Sequence, residues 1–135
     1  MNKYGFLLFV ALVAAASSAV IKGVTPDEQK EFQGVHKFCQ SHPETHIDEE
    51  LIGKLIKGEF IEDEQLKVHM VCMYQGFKMM HYGLLKDNIR QRWSKHYDGE
   101  YLAKLEHCLI EKESPEETAW NFVKCEHGIV GSLYA

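Results

Sequence analysis

Thiols and imidazoles give this chain its widest chemical repertoire. Thiolates ligate metals, attack electrophiles or pair oxidatively, and imidazoles ligate metals and move protons near neutral pH. The 135 residues include four cysteines (Cys39, Cys72, Cys108 and Cys125) and eight histidines. A structural zinc site wants close cysteine pairs of the C-x2-C kind. The cysteines here are 33, 36 and 17 positions apart, which argues against zinc. His42 and His46 lie four apart, but Pro43 between them keeps them off a common helical face, so they read as loop residues with no metal. Most of the other histidines read as surface groups. One or two are expected to titrate between about pH 5 and 7 and loosen a packed element. The chain has no Gly-x-Ser-x-Gly elbow, no phosphate loop and no His-Glu-x-x-His. The acidic runs Glu49-Glu50, Glu62-Asp63-Glu64 and Glu116-Glu117 sit where helices should begin, and there they complement the helix dipole. No residue speaks for catalysis or for a cofactor.

The ends of the chain decide how the cysteines read. Lys3, an apolar run from Phe6 to Ala16, and the small residues Ser17-Ser18-Ala19 make a secretory signal peptide over residues 1–19. The run is too short for a membrane anchor. Residues 20–135 then form one secreted, extracellular domain, in a compartment where an even cysteine count predicts two disulfides. Three pairings satisfy that count. With 45% apolar residues the chain is globular rather than disordered, and a net charge of −5 argues against nucleic acid as a partner.

The elements that must position these groups are helical. Thr25-Pro26-Asp27-Glu28 is a helix start whose helix should run to about Cys39, before His42-Pro43 breaks it. A second helix begins near Asp48, carries Leu51, Ile52, Leu55 and Ile56 in one stripe, and ends at Gly58. Asp63 opens a third whose apolar positions cover most of its surface, so it should lie centrally. Residues Met79 to Tyr97 suggest a loop and a short helix through Trp93. Asp98-Gly99 starts another helix, and Ser114-Pro115 the last, with Gly128 as its expected C-terminal cap. No convincing strand appears. The fold class is all-α, with five to six short helices.

Met70, Met73, Met79 and Met80 cluster with Tyr74 and Phe77, a set that suits either a core or an adaptable cavity wall. The cysteine spacing resembles that of the insect odorant-binding protein family, also called the pheromone-binding or general odorant-binding family. That family has six cysteines, the second and third four apart and the fifth and sixth nine apart. With Cys72 as the third and Cys125 as the sixth, the missing second falls at Val68 and the missing fifth at Glu116. Both halves of one bridge are absent together, as in the family's four-cysteine branch. Ala119-Trp120 keeps the family's alanine followed by an aromatic.

The resemblance implies a bundle of about six helices around an apolar pocket, bridged Cys39–Cys72 and Cys108–Cys125, with no catalysis. It implies a secreted carrier for a small hydrophobic ligand such as an odorant, a pheromone or a fatty acid. A membrane receptor is a further candidate partner, and the carrier would be a monomer or weak homodimer. The expected wall residues are Leu51, Leu55, Phe60, Met70, Met73, Tyr74, Phe77, Met80, Leu105, Trp120, Leu133 and Tyr134. Of these, Leu133 and Tyr134 would close the pocket from the C-terminal tail, and Tyr74 or Tyr134 would hydrogen-bond a ligand oxygen. Relatives often carry a large apolar residue just after the last cysteine, where this chain has Glu126. The missing bridge would leave the third and last helices tied only by packing. The rival reading is a secreted helical signalling or interaction protein with a filled core and no ligand.

Overall fold

Side-chain caps set most of the helix starts. Thr25 accepts the Glu28 N–H while Glu28 reaches back to the Thr25 N–H, and the resulting capping box opens α1 (Pro26–Gln40). Asp48 caps α2 (Glu49–Ile56) and Asp63 caps α3 (Glu64–Gly76). Asp98 caps α5 (Gly99–Leu105), which tightens into a 3-10 turn over Glu106–Cys108. Ser114 caps α6 (Pro115–Val130), whose Pro115 needs no N–H partner in the first turn. The start of α4 (Lys86–Ser94) has no side-chain cap. Its entry is fixed instead by the backbone, through the Leu85 N–H on the Met79 carbonyl at 2.8 Å. The computed structural model describes residues 22–134, so the signal-peptide reading of residues 1–19 lies outside the described residues.

Two local features depart from the sequence reading. Met80–His81 (β1) pairs antiparallel with Gly83–Leu84 (β2), the register placing Met80 opposite Leu84. Tyr82 takes the turn at φ 68° with its ring exposed. Two-residue strands are too short to show a period of two, which is why alternation gave no hint of them. The last helix also continues past Gly128 to Val130, and Gly131, at φ 73°, ends it instead. Ile129 and Val130 pack against the core, and that burial outweighs the weak helix propensity of Gly128. Gly58 does end α2 as expected. Its φ is 88°, and a Cβ there would lie 2.5 Å from the His127 ring, so a bare backbone joins the end of α2 to α6.

Helices α3 and α6 form the middle of the bundle. α3 buries Leu66, His69, Met70, Met73 and Tyr74, and α6 buries Ala119, Trp120 and Phe122. The Phe122 ring stacks on Trp93 at 5.9 Å and meets Tyr74 edge-on at 5.2 Å. Each such side chain contributes about 1.5–3 kcal/mol by leaving water.

Cys39–Cys72 ties α1 to α3, and Cys108–Cys125 ties the 3-10 turn to α6. The expectation that α3 and α6 meet by packing alone needs correction. Lys67, next to Val68, bonds Glu117, next to Glu116, at 2.8 Å, and also reaches Glu62 and Glu64. Hydrogen bonding to Glu117 leads the causes that raise its pKa above the usual lysine value. The carboxylates themselves are partly to largely exposed, so the cluster fixes position more than it adds stability.

Candidate functional site

The helices leave one mainly apolar cavity of about 160 Å³. A dry cavity near 150 Å³ is large enough for a benzene-sized guest. Phe32 and His36 of α1 form one wall, Ile52, Leu55 and Ile56 of α2 a second, and His69, Met70, Met73 and Tyr74 of α3 a third. Phe77 and Met79, beyond α3, continue that third wall, and Trp93, His96 and Tyr97 enter from α4 and the turn after it. Val123, Glu126 and His127 of α6 complete the lining, together with the tail from Gly131 to Tyr134. The tail folds back across the bundle, and the Tyr134 ring stacks on Phe32 at 4.4 Å.

Seven of the twelve expected wall residues border this space: Leu55, Met70, Met73, Tyr74, Phe77, Leu133 and Tyr134. The other five lie away from it. Met80, Leu105 and Trp120 are buried in solid packing, at 1%, 0% and 2% exposure. The Trp120 indole donates outward to Glu62 at 3.1 Å, and Phe60 packs edge-on against Trp120 and His127. Leu51 packs against the edge of the core, because the stripe on α2 turns Ile52, Leu55 and Ile56 inward instead.

Sequence reasoning missed Trp93 and Tyr97. Their spacing of four was a usable helical signal, hidden because the stretch around them looked irregular. Glu126 was singled out only as an interruption of the wall. It is part of the wall: its Oε2 accepts the Trp93 indole N–H at 2.7 Å. Burial raises its carboxyl above the usual glutamate value, and the Trp93 bond partly opposes that. Burial also raises the Tyr74, Tyr97 and Tyr134 hydroxyls, so all three stay neutral.

Two polar clusters hold the rim. Arg92 Nη2 bonds both oxygens of Glu31 and the Phe77 carbonyl, each at 2.9 Å. Glu28 faces His96 Nε2 at 2.7 Å. Burial works to raise Glu28, but the Thr25 and His96 hydrogen bonds outweigh it and hold the carboxyl at about 2.

His69 is fully buried. Its Nδ1 donates to the Thr45 carbonyl at 2.7 Å, while Nε2 has no partner among the described residues. Desolvation is the leading reason its pKa lies below the usual histidine value of 6.5. The unfolded chain therefore takes up this proton first, so the contribution of His69 to stability is lost as pH falls below about 6.5. Glu126 acts in the opposite sense, because its native carboxyl protonates before the unfolded one. The His69→Gln variant separates the two. Urea midpoints at pH 7 and pH 5 should fall less in that variant than in the native sequence, and an equal fall would remove His69 from the account.

Over residues 22–128 the sequence matches the PBP/GOBP family. The chain belongs to this family. Among its relatives, the B1 protein of Tenebrio molitor is 20% identical over 109 residues, which span 78% of this chain and 82% of that protein. The B2 protein of the same organism is 21% identical over 109 residues, spanning 78% and 84%. Among solved structures, Apis mellifera odorant binding protein 5 superposes with a TM-score of 0.63 at 18% identity, covering 79% of this chain and 93% of that one. That likeness supports the six-helix fold. PBP/GOBP proteins are secreted, non-enzymatic carriers of small hydrophobic ligands, and this chain shares their fold with two disulfides in place of three. No helix among the described residues is long and apolar enough to cross a membrane.

Proposed function

We propose that the protein is a secreted carrier that holds one small hydrophobic molecule, an odorant, a pheromone or a fatty-acid-like compound, in the cavity beneath its C-terminal tail. The observation that carries this reading is the space itself, about 160 Å³ and walled chiefly by methionine, aliphatic and aromatic side chains. Burial of a ligand's apolar surface would drive binding at about 25 cal/mol per Å². Methionine walls adapt to more than one ligand shape. As a monomer or weak homodimer in an extracellular fluid, the carrier would release its ligand to a membrane receptor or a neighbouring surface. The rival reading, an interaction protein with a filled core, is disfavoured by a cavity of this size.

The reading is tested by titrating the oxidised protein with an environment-sensitive naphthylamine dye, then competing with alcohols, terpenoids and short fatty acids. Saturable one-to-one uptake at micromolar dye, reversed by some competitors, is expected. Folded protein that takes up no dye would restore the filled-core reading.

The tail makes a second expectation. Tyr134→Ala removes the ring stacked on Phe32. An aromatic pair of this kind contributes about 0.5–1.5 kcal/mol. Dye release in a stopped-flow experiment should therefore quicken by about two- to tenfold. An unchanged release rate would mean that the tail does not close the cavity.

A further inference from the structure

Glu126 is the one lining carboxylate that the described residues leave without a cation. Glu28, which also borders the cavity, is satisfied by Thr25 and His96, and the lining guanidinium of Arg92 is taken by Glu31 and the Phe77 carbonyl. Glu126 has a single hydrogen bond, from Trp93 to Oε2; Oε1 has no donor among the described residues. The residue is half-buried and is among those that line the cavity, where burial raises its carboxyl above the usual glutamate value. An ionised carboxylate against an apolar space has lost water on one side and gained nothing there. Aromatic rings border the same space: Trp93, Tyr74, Tyr97 and Tyr134. Ring faces attract cations, and a carboxylate set among them is the arrangement that recognises an ammonium group.

Resting on the carrier reading above, we propose that Glu126 makes this cavity selective for small apolar amines, pairing its free oxygen with the ligand's ammonium while the hydrocarbon fills the methionine and aliphatic walls. The same charge repels an anionic ligand, so carboxylic acids of equal length bind worst. Neutral alcohols fall between, since they bury the same hydrocarbon without the ion pair.

The test uses a matched eight-carbon series at pH 7: octylamine, octanol, octanone and octanoic acid, each displacing the naphthylamine dye from the oxidised protein. Octylamine should displace it at a concentration at least tenfold lower than octanol, with octanoic acid weakest. Glu126→Gln keeps an acceptor for the Trp93 N–H and removes the charge. In that variant the amine should come within threefold of the alcohol. Equal displacement by octylamine and octanol in the native protein would overturn the proposal, as would survival of the amine's advantage in Glu126→Gln. A ketone that outranks the amine would also overturn it, by making Glu126 a protonated donor. The native ranking decides the matter even should the variant fail to fold. Dye uptake without amine preference removes this inference alone, whereas no dye uptake by folded protein removes the carrier reading and this inference together.

Discussion

Replacing Trp120 with alanine is expected to cost about 3–5 kcal/mol of folding stability and to change dye affinity by less than threefold. The first half follows from burial. The indole is 2% exposed, meets Phe60 edge-on and donates its N–H to Glu62, so truncation leaves a void and removes that hydrogen bond. In a domain of this size such a loss lowers Tm by on the order of 10 °C or more. The second half follows from position, since Trp120 does not border the cavity. Urea unfolding and dye titration on the same variant check both halves. Lost dye binding with stability intact would make Trp120 a wall residue after all.

Breaking the disulfides should give effects nearly as large, in a definite order. Cys39–Cys72 closes 33 residues and Cys108–Cys125 closes 17. In the chain-entropy account, removing the first costs about 3.7 kcal/mol and removing the second about 3.1. The functional consequences should differ more. Cys39–Cys72 pins α1 to α3, which supply Phe32, His36, Met70 and Met73 to the cavity. Cys108–Cys125 joins α6, which supplies Val123, Glu126 and His127, only to the 3-10 turn, which contributes nothing to the lining, so it fixes no two walls against each other. The double alanine variant at Cys39 and Cys72 should therefore exchange dye faster than the one at Cys108 and Cys125. Denaturant midpoints and release rates measured side by side settle the order, and faster exchange in the second variant would contradict it.

The fold was largely legible because its signals are local. Thr25, Asp48, Asp63, Asp98 and Ser114 each write a helix start within four residues, and the structure uses all five as N-caps. The α4 region was less legible because its start carries no side-chain cap and depends on a backbone bond to Met79. Gly128 misled for a related reason. Glycine propensity is a local prior, and the burial of Ile129 and Val130 overrode it. The cavity was legible only in part. Periodicity shows which face of a helix turns inward, but not whether a void or another side chain meets it. Met70 and Met73 face the void, while Met80 and Trp120, equally apolar, are enclosed by neighbours. Glu126 could not be placed by pattern at all, because its meaning depends on Trp93, 33 residues away.

The central claim is that a ligand enters this cavity rather than resting on the surface. The four methionines of residues 22–134 provide the most direct reading of it. Met70, Met73 and Met79 border the cavity, and Met80, the sequence neighbour of Met79, does not. In a protein labelled with 13C at the methionine methyls, titration with a displacing ligand should move the signals of Met70, Met73 and Met79 and leave Met80 nearly still. Saturable binding that moves none of the first three, or that moves Met80 most, would contradict the account.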